Sequence, residues 1–184
     1  MLPEKYKKYT YEEFIEITKD IERAEFIDGD IYYQATPTLE HQRIVGRLYR
    51  VLANCLDKNN CEPFIAPFDI ILEKENEKQR VQPDIFVLCG NKNIYENQYK
   101  GVPTLIIEVL SPSNEANDLV KKMNLYMRFG VLEYWIVIPK SKTIQCYKLE
   151  NGFYEQISIY TINDILTSSI FNKISVELKS IFYI

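Results

Sequence analysis

The stretch TLIIEVLSPSNEANDLVKKMNLYMRFGVLEYWIVI, residues 104–138, decides the fold of this chain. It opens with a nearly continuous apolar run, Thr104–Leu110, of the kind found in central strands that are buried on both faces. One carboxylate, Glu108, interrupts that run, and Ser111-Pro112-Ser113-Asn114 ends it. The chain is therefore predicted to be built around a buried strand that carries one acidic residue.

Hydrophobic periodicity extends this prediction outward in both directions. Helical spacing predicts a short helix that begins after the Thr10 capping box, with Phe14 and Ile17 on one side, and two longer helices over about 38–57 and 115–129. Alternating or continuous apolar runs predict the strands Arg23–Ile27, Asp30–Tyr33, Phe64–Leu72, Val81–Leu88, Thr104–Leu110, Tyr134–Ile138, Thr143–Leu149 and Phe153–Tyr160.

The connections between these elements complete the fold prediction. Asp28-Gly29 predicts a tight hairpin turn, and Gly130 ends the second long helix. Glu73–Arg80 is interpreted as a charged turn and Cys89–Gly101 as a polar connection. With no linker to divide the chain, we predict one α+β domain over residues 1–184, with a mixed central sheet flanked by helices.

Composition excludes several classes of function. The 184 residues carry 22 Lys and Arg against 26 Asp and Glu, and the net charge of −4 excludes a polycation that holds nucleic acid by bulk charge. The single histidine, His41, and the lack of a CxxC pair exclude the usual zinc sites, so oxygen ligands are expected for any metal.

Cysteine usage and hydropathy bear on the compartment. The four cysteines are few and scattered in a chain long enough to build its own core, which favours reduced thiols. No window approaches about 18 uninterrupted apolar residues, and the N-terminus has no apolar export segment. We expect a cytoplasmic protein with no membrane span.

Two carboxylates stand where strand physics does not favour them. Asp84 follows Pro83 in VQPDIFVL, and Glu108 lies within the central apolar run. Burying an unpaired carboxylate costs several kcal/mol, so each requires a partner, a metal or a water-filled cleft. If the two strands are neighbours, a Mg²⁺ ion would explain both residues. The alternative is that Asp84 starts a strand while Glu108 faces solvent or pairs with an arginine.

A lysine on the following helix strengthens the functional interpretation. Lys122 lies four residues after Asp118, and from that helix it could reach back toward the carboxylates, where an ammonium can hold or deprotonate an attacking water. The alternative is a surface ion pair with Asp118. Lys121 is the neighbouring residue, and spacing alone does not decide which of the two lysines reaches the carboxylates.

Three blocks together resemble the Uma-type (Uma-two) restriction endonuclease family of the PD-(D/E)XK nuclease superfamily. They are AEFIDGDIYYQATPTLEHQRIVGRLYRVL, VQPDIFVL and PTLIIEVLSPSNEANDLVKKMNLYMRFGVLEYWIVIP, and the resemblance covers roughly residues 10–160. It implies a restriction-endonuclease-like fold and hydrolysis of phosphodiester bonds by a metal-activated water, with Mg²⁺, or Mn²⁺ in its place, as the cofactor.

Carried over by position, the resemblance makes Asp84 and Glu108 the acidic metal ligands, with the carbonyl of Val109 as a further contact. The superfamily lysine is expected at position 110, where this chain has Leu110. Lys122 matches the helix lysine that takes over in this family, and Glu25 matches an early acidic position that orients a metal-bound water or a basic partner. The alternative for Glu25 is a strand carboxylate paired with Arg23 or a lysine.

Further candidates lie on the two long helices. His41 is at a place where the family often carries histidine and is a candidate for the rim of the site. The arginines Arg43, Arg47 and Arg50 recur along the first long helix, and with Lys121 they are candidate nucleic-acid contacts. A solvated basic face is the alternative.

The leading hypothesis is a metal-dependent endodeoxyribonuclease with DNA as its substrate. The same residues would serve for RNA or another phosphoester. The rival hypothesis is a catalytically silent protein of this fold that acts in binding or assembly. We also expect a homodimer.

Overall fold

Two mixed six-stranded sheets organise the computed structural model, which describes residues 7–56, 60–90, 93–95, 97–111 and 116–183, with side chains in the last range from Leu119 onward. Within these ranges the helices are α1 (Tyr11–Ile17), α2 (Leu39–Leu56), α3 (Ala116–Phe129) and α4 (Leu178–Phe182). The strands are β1 (Ala24–Ile27), β2 (Asp30–Tyr33), β3 (Cys61–Ile65), β4 (Asp69–Lys74), β5 (Glu77–Val81), β6 (Ile85–Cys89), β7 (Ile94–Tyr95), β8 (Gln98–Lys100), β9 (Leu105–Val109), β10 (Glu133–Ile138), β11 (Thr143–Glu150), β12 (Phe153–Tyr160), β13 (Ile165–Thr167) and β14 (Ser175–Glu177).

The central sheet has the order β12-β11-β10-β9-β6-β3, in which β9 and β10 are parallel and the other neighbours antiparallel. The second sheet has the order β2-β1-β5-β4-β8-β7, and β13 pairs with β14. The α+β class with a mixed central sheet is confirmed.

The central sheet is buried on both faces because its strands alternate two apolar sets. One face packs against α2, through Ile44, Leu48 and Leu52, and the other packs against α3, through Leu125 and Tyr126. Along β9, Leu105, Ile107 and Val109 face α2, whereas Ile106 faces α3. Glu108 shares the parity of Ile106, so the period of two places its side chain on the α3 side.

Local sequence features act as predicted at three points. Thr10 and Glu13 form a capping box at the start of α1. Asp28 and Gly29 both have positive φ angles, 51° and 82°, as a tight two-residue hairpin turn requires. Gly130 follows α3 with φ 90° and terminates it.

Three predictions over residues 64–88 were wrong, two of them for strands and one for a turn. The alternating run Phe64–Leu72 forms two strands in different sheets, because the chain leaves the central sheet after Ile65 and enters the second sheet at Asp69. Glu73–Arg80 is mostly the β4–β5 hairpin rather than a turn. The run Val81–Leu88 is also divided: β5 ends at Val81, and β6 begins only after Gln82-Pro83-Asp84.

Smaller differences concern α1 and the loops. Phe14 is buried in a small cluster with Ala24 and Phe26, but Ile17 is 43% exposed and does not share its inward side. The predicted polar connection Cys89–Gly101 contains the short strands β7 and β8.

The prediction of reduced thiols fails for two of the four cysteines. Cys61 and Cys89 lie directly opposite each other on the antiparallel strands β3 and β6 and form a disulfide. Their sequence separation of 28 residues gave no indication of this register. No helix in the described part of the chain is long and apolar enough to cross a membrane.

Glu133, at the start of β10, is a buried carboxylate that the sequence analysis did not single out. It is 0% exposed, and it accepts hydrogen bonds from the Trp135 indole at 2.9 Å, the Ser168 hydroxyl at 2.5 Å and the Ser169 amide at 3.0 Å. Its acceptors are thus used to hold the C-terminal segment against the central sheet.

Candidate functional site

Asp84 and Glu108 lie side by side at one end of the central sheet. Strands β6 and β9 are antiparallel neighbours, with Ile85 opposite Ile107. Asp84 directly precedes Ile85, and the backbone amide of Val109, the residue after Glu108, donates to the Asp84 carboxylate at 2.8 Å, so the two acidic residues lie at the same end of these strands. The neighbouring strands that the sequence hypothesis required are present.

Asp84 is fixed by two hydrogen bonds to the same carboxylate oxygen. The Val109 amide donates to Oδ2 at 2.8 Å, and Nε2 of His41 lies 3.1 Å from Oδ2. His41 is 8% exposed at the start of α2. It therefore lies at the site, beside the carboxylate, rather than only at its rim.

Lys122 reaches two carboxylates from α3. Its Nζ lies 3.2 Å from Oε1 of Glu108 and 2.9 Å from Oε2 of Glu25. All three residues are buried, at 7%, 7% and 2% exposure for Lys122, Glu108 and Glu25. Glu108 does not face solvent, and Glu25 pairs with Lys122 rather than with Arg23. The side chain of Asp118, the alternative partner of Lys122, lies outside the described residues.

Tyr126 is a site residue that the sequence analysis did not single out. Its hydroxyl donates to Oε1 of Glu108 at 2.8 Å, and its side chain is fully buried. The available indication was its spacing, since Tyr126 follows Lys122 by four residues and shares its face of α3.

Gln82 connects the site to the hairpin that carries Glu25. The backbone amide of Gln82 donates to Oε1 of Glu25 at 2.8 Å. Its side-chain Nε2 donates to the Glu22 carbonyl at 2.8 Å and to Oδ1 of Asp69 at 2.7 Å. Gln34 in turn donates to the Gln82 carbonyl at 3.2 Å. These bonds hold the segment that leads to Asp84.

The site gathers more negative than positive charge. The pKa of Glu108 is raised to about 8: burial is the largest cause, the charges of Asp84 and Glu25 add to the rise, and the charge of Lys122 and the Tyr126 hydrogen bond oppose it. Burial lowers the pKa of His41, but the hydrogen bond and charge of Asp84 outweigh it, so that this pKa is raised overall.

The remaining basic candidates do not contact the acidic residues of the site in the described contacts. Lys121 is exposed and contacts Asp30 at 3.2 Å and the Tyr32 hydroxyl at 2.5 Å. Arg47 donates to the carbonyls of Ile181 and Tyr183 and so attaches α4 to α2. Arg43 and Arg50 are exposed on α2. Leu110, at the place of the superfamily lysine, packs in the apolar cluster on the α3 face.

The donor set fits a hard divalent cation. Within the described ranges no group of three or more His, Cys, Asp and Glu side chains is arranged to hold a metal, so an ion would rely on two carboxylates and a backbone carbonyl. Mg²⁺ commonly takes one or two carboxylates and keeps several waters. Burial, together with the charges of Asp84 and Glu25, raises the pKa of Glu108, and a cation bound beside it would favour its ionised form.

Comparisons with known proteins show the family to which this chain is similar. A family model described as "Putative restriction endonuclease", Uma2, matches residues 11–179. The chain is 32% identical over 178 residues to the uncharacterized protein slr1290 of Synechocystis sp., covering 96% of this chain and 87% of that protein. It is 28% identical over 132 residues to sll1609 of the same organism, covering 71% of each.

A solved structure supports the fold independently of close sequence similarity. The crystal structure titled as a "putative nuclease belonging to DUF820" from Anabaena variabilis matches with a TM-score of 0.73 at 18% identity. The match covers 86% of this chain and 89% of that one. Because the family model spans nearly the entire sequence, and the aligned region includes every residue of the site, this chain belongs to the Uma2 restriction endonuclease-like family.

Proposed function

We propose that this protein is a Mg²⁺-dependent endonuclease that hydrolyses phosphodiester bonds of DNA, and that Mn²⁺ can replace Mg²⁺. The observation that carries the proposal is the convergence of Asp84, Glu108 and Lys122 at one end of the central sheet. The nuclease-like fold and the family membership support it.

In this proposal Asp84 and Glu108 hold the ion, with the Val109 carbonyl as a further ligand. An ion held there would supply positive charge to polarise the scissile phosphate and to lower the pKa of a water. The chain itself keeps the ligands in place. Because the Val109 amide and His41 both bind Oδ2 of Asp84, they fix the orientation of that carboxylate.

Lys122 places a positive charge beside the reacting phosphate. Its ammonium orients the attacking water or neutralises charge that develops on the phosphate oxygens. Glu25 acts through Lys122: it is buried against the ammonium and the Gln82 amide, so we assign it a positioning role. Tyr126 restrains Glu108 in the same way from α3.

Cleavage assays on matched DNA and RNA substrates test the proposal. We expect the purified protein to nick supercoiled plasmid in Mg²⁺ or Mn²⁺ and to leave it intact in EDTA, with RNA of the same sequence cut more slowly. Asp84→Asn should remove the activity. Equal cleavage by this variant would place the chemistry elsewhere, and absence of both cleavage and calorimetric Mn²⁺ binding would favour the binding or assembly hypothesis.

The raised pKa of Glu108 predicts a pH dependence of stability in the metal-free protein. The folded state holds a proton up to about pH 8, whereas an exposed glutamate loses it near 4.5. The stabilisation from this proton is therefore complete below the unfolded pKa and disappears as the pH rises through about 8.

Melting temperatures in EDTA at pH 5.5 and 8.5 measure this effect. The wild-type melting temperature relative to Glu108→Gln should fall as pH rises, because glutamine cannot titrate. Added Mn²⁺ should raise the wild-type value at pH 8.5 and leave the variant unchanged. A difference between the two proteins that is independent of pH would contradict the assignment.

A further inference from the structure

The Arg23 guanidinium is a cation beside the site that the proposed mechanism does not use. Arg23 directly precedes β1, two residues before Glu25. The Gln34 side chain links it to the carbonyl of Gln82, two residues before Asp84, so Arg23 lies beside the segment that leads to the site. It is partly buried.

Arg23 has no carboxylate partner among the described residues. Its Nη2 donates to the neutral Gln34 side chain at 3.2 Å, and its Nε is buried without a hydrogen-bond partner in the described part of the chain. Of the two acidic residues nearest in sequence, Glu22 is exposed and forms no ion pair with Arg23 among the described contacts, and Glu25 pairs with Lys122. Buried cationic donors are normally paired, because leaving one unpaired costs its desolvation energy.

Arg80 is a second partly buried arginine in the same region, and its partners differ from those of Arg23. Its Nε is also buried without a partner, but its Nη2 makes an ion pair with Asp69 at 2.7 Å. The charge of Arg80 is therefore neutralised by an ion pair, whereas Arg23 has no such pair with any residue that the structure describes.

The Gln34 contact holds the guanidinium in a fixed orientation. The backbone amide of Gln34 donates to the Arg23 carbonyl at 3.1 Å. The Gln34 side chain accepts from the Arg23 guanidinium and donates to the carbonyl of Gln82, two residues before Asp84. The guanidinium is thus tied to the segment that positions the acidic pair. A planar guanidinium held in this way matches the oxygens of a phosphate.

We infer that Arg23 binds a backbone phosphate of the nucleic-acid substrate next to the Asp84 and Glu108 pair. This inference rests on the proposed function and names a binding residue for it. Because the chain has a net charge of −4, it does not attract the phosphate backbone as a whole, and Arg23 supplies a local positive charge for that contact.

Binding of a labelled DNA duplex in EDTA, measured over a range of salt concentrations, tests the inference without cleavage. Arg23→Gln should weaken binding about tenfold and lower the slope of log K against log salt by about 0.9, the value for one lost phosphate contact. Lys148→Gln is the matched control. Lys148 already pairs with Glu150, and it lies opposite Glu133 at the start of β10, away from the strand ends that carry Asp84 and Glu108. This variant should bind like wild type.

A second measurement uses a set of DNA duplexes, each with one backbone phosphate replaced by a neutral methylphosphonate. Wild type is compared with Arg23→Gln, or with Arg23→Lys if Arg23→Gln does not fold. One position should weaken wild-type binding and have a smaller effect on the variant, because the lost contact cannot be lost twice. Equal sensitivity at every position, or wild-type affinity of Arg23→Gln, would overturn the inference. If wild type still cuts DNA in that case, only the inference fails; if wild type neither binds nor cuts, the proposed function fails.

Discussion

Glu108→Gln is expected to lower metal-dependent cleavage about 100- to 1,000-fold while the protein remains folded. The substitution removes one of the two carboxylates that hold the ion, and a metal contributes several kcal/mol to stabilising the transition state. The fold should persist because burial already raises the pKa of Glu108 to about 8, so neutral glutamine resembles its protonated form. Cleavage rate and melting temperature, measured on the same preparation, give the result.

Glu133→Gln is the matched control for this substitution. It changes the same chemical group at a buried position of the same sheet, but Glu133 binds Trp135, Ser168 and Ser169 rather than the site residues. We expect it to lower the free energy of unfolding by about 1–3 kcal/mol and to leave cleavage per folded molecule unchanged. If the two variants lose activity equally, Glu108 has no special role.

Lys122→Met is expected to destabilise the protein by about 3–5 kcal/mol at pH 8, because it leaves buried carboxylates without their cation. Glu25 and Glu108 both lie within 3.2 Å of Nζ and are less than 10% exposed. The loss should be smaller at pH 5, where the carboxyl groups take up protons. Denaturant unfolding at the two pH values measures it, and cleavage should also be lost.

Two further variants separate burial from a general effect of losing a lysine. Lys121→Met removes the neighbouring exposed lysine and should change stability by no more than about 0.5 kcal/mol. The double variant Lys122→Met with Glu25→Gln removes one of the stranded charges and should recover much of the lost stability without restoring cleavage. A Lys122→Met variant as stable as Lys121→Met would contradict the buried ion pair.

The candidate site divides clearly into what local sequence could predict and what it could not. Asp84 and Glu108 were recognisable because each is a carboxylate in a strand-like context, where its burial requires a partner. Lys122 was recognisable from the resemblance but not from spacing, since Lys121 was equally placed. Their contacts with Glu25, Tyr126 and Gln82 depend on three separate elements meeting, which no local pattern encodes.

The same distinction explains the errors in the fold. The period-two pattern of Phe64–Leu72 indicates which side chains are buried, but both sheets bury alternate residues, so it does not show that the chain changes sheets. The cysteines could not be paired from a sequence separation of 28 residues, because the register of β3 against β6 decides which sulfur atoms meet.

The sequence by itself determined the class of fold, the capping box, the Asp28-Gly29 turn and the acidic pair, because these follow from backbone preferences and from the cost of burying charge. Only the tertiary structure decided which cation each carboxylate receives. Ion pairing depends on distances of a few ångströms between residues far apart in the chain, such as Glu25 and Lys122 at 2.9 Å. For the same physical reason, only the structure shows that Arg23 lies near the site and has no acidic partner within the part of the chain that it describes.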